Sequence, residues 1–117
     1  MRDILPFVAS LLSSIDAQIE LSYRDTDVTF PLIVLSTVSD MAETSRDGDE
    51  VVTNMNVQVD VYTLDKDTTY TTAKTVDSLL MPAGLRRMNA FAVTEGDMER
   101  YQMTYTANID WDGKTIL

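Results

Sequence analysis

Between residues 51 and 64 the chain reads VVTNMNVQVDVYTL. Val51, Thr53, Met55, Val57, Val59, Val61 and Thr63 alternate there with Asn54, Asn56, Gln58, Asp60 and Tyr62. Successive side chains of a strand point to opposite faces, so this period of two predicts a long strand with one dry and one wet face. A slip of one residue would turn the apolar set into water, which fixes the register. Upstream, Ile4, Phe7, Val8, Leu11, Leu12 and Ile15 recur at helical spacing and predict an amphipathic helix. Asp3 is its expected N-cap, and Pro6 is tolerable in the first turn. Ala17, Ile19, Leu21 and Tyr23 then alternate with polar residues, as do Val28 and Phe30, around the turn Arg24-Asp25-Thr26-Asp27. That pattern predicts a short hairpin. FPLIVLSTVS, residues 30–39, is a β-branched run without clean alternation and reads as a strand covered on both faces, with Pro31 at its start.

Residues 40–50, DMAETSRDGDE, carry no usable period. The apolar pattern stops at Val38 and resumes at Val51, so this stretch is expected to be a long acidic loop that orders only on assembly. Beyond the long strand, Tyr70, Ala73, Val76, Leu79 and Leu80 predict one face of a second helix, capped by Asp67 and ended near Met81 by Pro82 and Gly84. Residues 86–94 read as a strand, with Phe91 and Val93 on one side and Met88, Ala90 and Ala92 on the other. Gly96-Asp97 is a turn, and residues 99–111 alternate again as a second long strand. Its stripe of Tyr101, Met103, Tyr105 and Trp111 reads as core, with an interface as the alternative. The expected fold is therefore α+β, a two-layer sandwich. It has a mostly antiparallel or mixed sheet with two helices on one face, in the order α-β-β-β-loop-β-α-β-β. The 117 residues suit a single domain.

Composition narrows the function more than the pattern does. The formal charge is −10. Phosphate neutralisation needs clustered Lys and Arg, so a nucleic-acid surface or an anionic membrane surface is not expected. No apolar run is long enough to span a bilayer, and the N-terminal stretch, broken by Asp3 and Pro6, does not read as a signal peptide. There is no histidine, no cysteine and no glycine-rich phosphate loop. The common general base and nucleophile pairings are thus missing, and neither enzyme activity nor a cofactor is expected. Paired carboxylates occur at Asp25/Asp27, Asp47/Asp49, Glu95/Asp97/Glu99 and Asp110/Asp112. They fall at predicted turns, where Asp bonds its own backbone, so no metal site is expected. Arg86-Arg87 is a basic pair in an acidic chain, expected to pair with another subunit or to be solvated.

Four segments carry a family resemblance. They are Phe30-Pro31-Leu32-Ile33-Val34 opening a strand, Val57-Gln58-Val59-Asp60-Val61-Tyr62 in the long strand, Ala73-Lys74-Thr75-Val76-Asp77-Ser78-Leu79-Leu80 in the second helix, and Arg100-Tyr101-Gln102-Met103-Thr104-Tyr105 in the last strand. In this order, over nearly the whole chain, they resemble the tail-completion proteins of long-tailed bacteriophages, also called tail terminators or tail-to-head joining proteins. The resemblance implies a structural virion protein, assembled in the host cytoplasm and located at the head–tail junction. It implies a homo-oligomeric ring, hexameric in the family, that caps the tail tube and meets the head connector, with DNA passing through its lumen without specific binding. In that setting Met41, Arg46, Arg86 and Arg87 are expected at protein contacts, while Asp40, Glu43, Asp47, Asp49 and Glu50 face lumen or solvent. A head-closure or other minor tail protein is the alternative within virion proteins. A cytoplasmic ligand-binding or regulatory α+β domain is the alternative from another class.

Overall fold

Two helices lie on one face of a five-stranded mixed sheet, giving an α+β two-layer sandwich. The computed structural model describes residues 4–21, 29–44 and 50–110; within these, side chains are described except at 39–44, 50–53, 95, 109 and 110. The elements are α1 (Leu5–Leu11), β1 (Gln18–Glu20), β2 (Leu32–Thr44), β3 (Glu50–Thr63), α2 (Lys66–Leu80), β4 (Arg86–Glu95) and β5 (Met98–Asp110). Across the sheet the strands run β1-β2-β3-β5-β4, so β1 and β4 are its two edges. β1 is parallel to β2, and every other neighbouring pair is antiparallel.

The central strand follows its alternation. Met55, Val57, Val59 and Val61 are buried under the helices, beside Ile33 and Leu35 of β2 and Met103, Tyr105 and Ala107 of β5. Ala73, Val76 and Leu80 of α2, with Ile4, Val8 and Leu12 around α1, close the same core. The opposite face is polar along most of its length: Asn54 Nδ2 donates to Asn108 Oδ1 at 2.9 Å and to Thr106 Oγ1 at 3.2 Å. It is not uniformly wet, however. Tyr62 is buried with Leu32 and Val34, and Asp60 is also buried.

Several expectations are corrected. The first helix is seven residues long, and its buried row is Ile4, Val8 and Leu12, an i, i+4, i+8 line. Phe7 is exposed, and Leu11 and Ile15 are only partly buried. The expected cap Asp3 lies outside the described residues, and Ile4 holds the N-cap position without a side-chain bond. The turn expected at 24–27, with Tyr23 and Val28 of the expected hairpin, lies outside the described residues; β1 itself pairs in parallel with β2, where Gln18 N–H donates to the Pro31 carbonyl at 3.0 Å. Pro31 does precede its strand, after a cis Phe30–Pro31 peptide. The expected loop over residues 40–50 is mostly strand. Asp40 pairs with Met55, Met41 with Asn54, Glu43 with Val52 and Thr44 with Glu50, and the part of the expected loop at 45–49 lies outside the described residues. These residues lack an apolar period because the ladder is held by backbone pairing, which any side chain allows.

Helix α2 is capped by Asp65 rather than Asp67. The Asp65 carboxylate accepts from Thr68 N–H and from Thr68 Oγ1, each at 2.7 Å. These bonds, the backbone one foremost, hold the Asp65 pKa below its ordinary value of 3.8. The group is depressed on folding, so its stabilisation is complete above the unfolded pKa and is lost as pH falls through the folded one. Asp65→Ala should therefore lower the thermal midpoint at neutral pH, with the gap to wild type narrowing below about pH 4. Melting curves at several pH values check this, and a gap independent of pH would contradict it.

Candidate interaction surface

β4 is paired only with β5, so among the described residues its outer row of backbone groups meets no strand. Unpaired edges of this kind are templates for another strand. Arg86 and Arg87 open the strand, and the register then shifts between Arg87 and Asn89, a bulge that places Met88 outward. Met88 and Phe91 are 58% and 48% exposed, which is unusual for large apolar side chains on a ten-residue edge strand. The β4–β5 hairpin closes through Gly96, whose φ of +59° suits glycine.

α2 lies over β3 and β5 but leaves β4 uncovered, and a groove follows this gap. It has two lobes of about 370 and 420 Å³ that share Tyr70 and Tyr101. The two rings meet edge-on, with centroids 6.4 Å apart and planes at 73°. Ala92 keeps the strand side of the first lobe low, with Lys66 opposite on the helix. Lys74 and Arg87 line the second, and Lys74 Nζ sits 5.2 Å from the Tyr70 ring centroid. Tyr70, expected on the buried face of the helix, is 54% exposed; Thr69 and Thr72 are buried in its stead, with the Thr63 and Thr69 hydroxyls hydrogen-bonded.

One polar cluster fastens the helix to the strands below the groove. The buried Tyr105 Oη donates to Asp77 Oδ1 at 2.8 Å, and Arg87 Nη1 lies 3.6 Å from the same oxygen. Burial, and then the bond to Asp77, raise the Tyr105 pKa, so the phenol stays protonated and keeps donating. Arg87 is thus aimed along the groove. Arg86 sits on the other sheet face, in register with Thr106.

Of the expected contact residues, Met41 is not brought to Arg86 and Arg87 within the sheet. Met41 and Asn54 are opposite each other in β2 and β3, whereas Arg86 and Arg87 lie on β4, three strand spacings away, or about 14 Å. Asp40 and Glu43 lie in β2 and Glu50 opens β3, while Arg46, Asp47 and Asp49 fall outside the described residues, as does Trp111. Met103 and Tyr105 are core as expected, and Tyr101 lines the groove. Among the described residues no group of three or more carboxylates could hold a metal ion.

Charge is segregated across the sheet. The described residues from Ile4 through Asp65 contain seven acids and no base, whereas Lys66 through Asp110 contain five bases against six acids. All five bases are carried by α2, β4 and β5. Chemically, the arrangement offers a strand edge, aromatic faces and charged groups. No family model matches the sequence, and no curated protein matches it significantly.

Proposed function

We propose that this chain is a structural virion protein of the tail-completion type, a subunit that assembles as a ring at the head-proximal end of a phage tail and joins tail to head. The observation that carries this reading is the β4 edge, an exposed ten-residue strand with outward apolar side chains at one end of an asymmetric sheet. Two different edges on one subunit are what a heterologous, closing interface uses. The strongly acidic chain also suits a lumen through which DNA moves without sticking. In this reading the tail tube and the head connector are the neighbouring partners.

A phage carrying a nonsense codon in this reading frame should yield filled heads and separate tails in negative stain. Supplying the chain in trans should join them. Normal joined virions from the mutant would refute the reading. The tyrosine-lined groove favours a second reading, a ligand-binding α+β domain. That reading requires a midpoint shift in a small-molecule thermal screen and normal virions in the knockout.

A further inference from the structure

We propose that the groove between α2 and β4 is a small-molecule site for an aromatic carboxylate, with the ring on the two tyrosines and the anionic group held by Lys74 and Arg87. The inference goes beyond the ring reading and names the ligand class that the second reading leaves open.

The space arises from what faces what across the strands. Tyr101 of β5 is in register with Ala92 of β4, and Met103 with Ala90. A methyl group opposite a tyrosine does not fill the width beside the larger side chain, and α2 packs over β3 and β5 only. Each lobe, at about 370 and 420 Å³, is large enough for a small organic molecule. The lobe beside Ala92 has Tyr70 and Tyr101 as aromatic walls. These rings stand edge-on at 73°, and Tyr70 is half exposed, so ring surface is open to a third aromatic group. Both tyrosines also line the second lobe, so a ligand lying across their contact enters both.

Charge selects an anion. Lys66, Tyr70, Lys74 and Ser78 recur every four residues on α2 and form one row along the groove, with steps of about 6 Å. Among the described residues neither Lys66 nor Lys74 has a carboxylate partner, in a chain of net charge −10. The two acids on the groove wall are already engaged. Asp77 accepts from the Tyr105 hydroxyl and faces Arg87, and Glu99 accepts from Thr94 Oγ1 at 3.1 Å. Arg87 Nη1 lies 3.6 Å from Asp77, beyond hydrogen-bond length, so its guanidinium keeps N–H donors for an incoming carboxylate. Lys74 lines the same lobe and supplies the second cation. A ring beside Ala92 and a carboxylate in the second lobe therefore meet the aromatic and the cationic parts of the groove together.

Hydrocinnamate is the probe, with benzyl alcohol and acetate as its two halves. Titrated into the isotope-labelled full-length chain and followed by amide chemical shifts, hydrocinnamate should saturate with a Kd on the order of 1 mM or tighter. The shifts should centre on Tyr70, Lys74 and Ala92. Each half should bind about tenfold more weakly or worse. Lys74→Glu should weaken hydrocinnamate binding about tenfold. Arg86→Glu makes the same charge change on the opposite sheet face and should alter binding less than about twofold. Ala92→Leu fills the first lobe and should abolish binding. Circular dichroism melts establish that each variant is folded; Lys74 is exposed, so its variant carries the test even where Ala92→Leu disturbs folding. Equal losses from Lys74→Glu and Arg86→Glu would mean diffuse attraction to a basic side of the molecule and would overturn the proposal. Shifts confined to another surface, no saturation, or normal binding by a folded Ala92→Leu would overturn it as well. The titration reads the groove and the knockout phage reads assembly, so either idea can fail without the other.

Discussion

Leu12→Ala should destabilise the protein by about 2–5 kcal/mol, whereas Leu11→Ala, one residue away, should cost clearly less. Leu12 is fully buried in the main core, packed with Ile4 and Val8 from its own segment and with the β2 side chains Ile33 and Leu35 in the same cluster. Truncation there removes transfer energy and leaves a cavity that a sheet on one side and α2 nearby cannot easily fill. Leu11 only leans on that core, and Phe7 is 42% exposed, so the solvent can refill what those truncations vacate. Urea titration of the three alanine variants, followed by far-ultraviolet circular dichroism, ranks them. A Leu11→Ala or Phe7→Ala loss as large as that of Leu12→Ala would mean that α1 docks on a different row.

That ranking also shows where sequence reading reaches its limit. The helical spacing in the first fifteen residues was legible, but six apolar positions define a stripe wider than one short helix buries. Only the packing partner decides that the line through Ile4, Val8 and Leu12 faces inward. The long strands were legible to within one residue, because alternation over a whole strand has no competing explanation. Residues 40–44 were not, since backbone pairing with β3 leaves no mark on composition. The parallel docking of β1 was hidden for a related reason. Three residues of alternation cannot say which neighbour they join or in which direction. Of the candidate surface, the Arg86-Arg87 pair could be singled out, because bases are scarce in this chain. The groove could not, since it exists only where α2 stops short of covering β4.

The polar face of β3 holds a second site that alternation concealed, and it yields the other large effect. Asp60 falls on the face expected to be wet, yet its side chain is only 6% exposed. Its Oδ1 lies 3.1 Å from Arg100 Nε, and its Oδ2 accepts from Gln58 Nε2 at 2.8 Å. The Arg100 guanidinium also lies over the Tyr62 ring, 5.5 Å from its centroid. β3 and β5 are thereby clasped on the side that no helix covers. Arg100→Met keeps most of the side-chain length and removes the countercharge, leaving a buried carboxylate. The cost should be about 3 kcal/mol, the low end for breaking a buried pair, because Arg100 keeps 21% exposure and water can partly replace it. Asp60→Asn combined with Arg100→Met should recover a large part of that loss, since no net charge then remains buried. Denaturant midpoints of the two single variants and the double variant form the cycle that measures the coupling. A double variant whose loss equals the sum of the single losses would mean that the two groups are independent, and the clasp between β3 and β5 would have to come from the backbone ladder and the apolar cluster of Leu32, Val34 and Tyr62 alone.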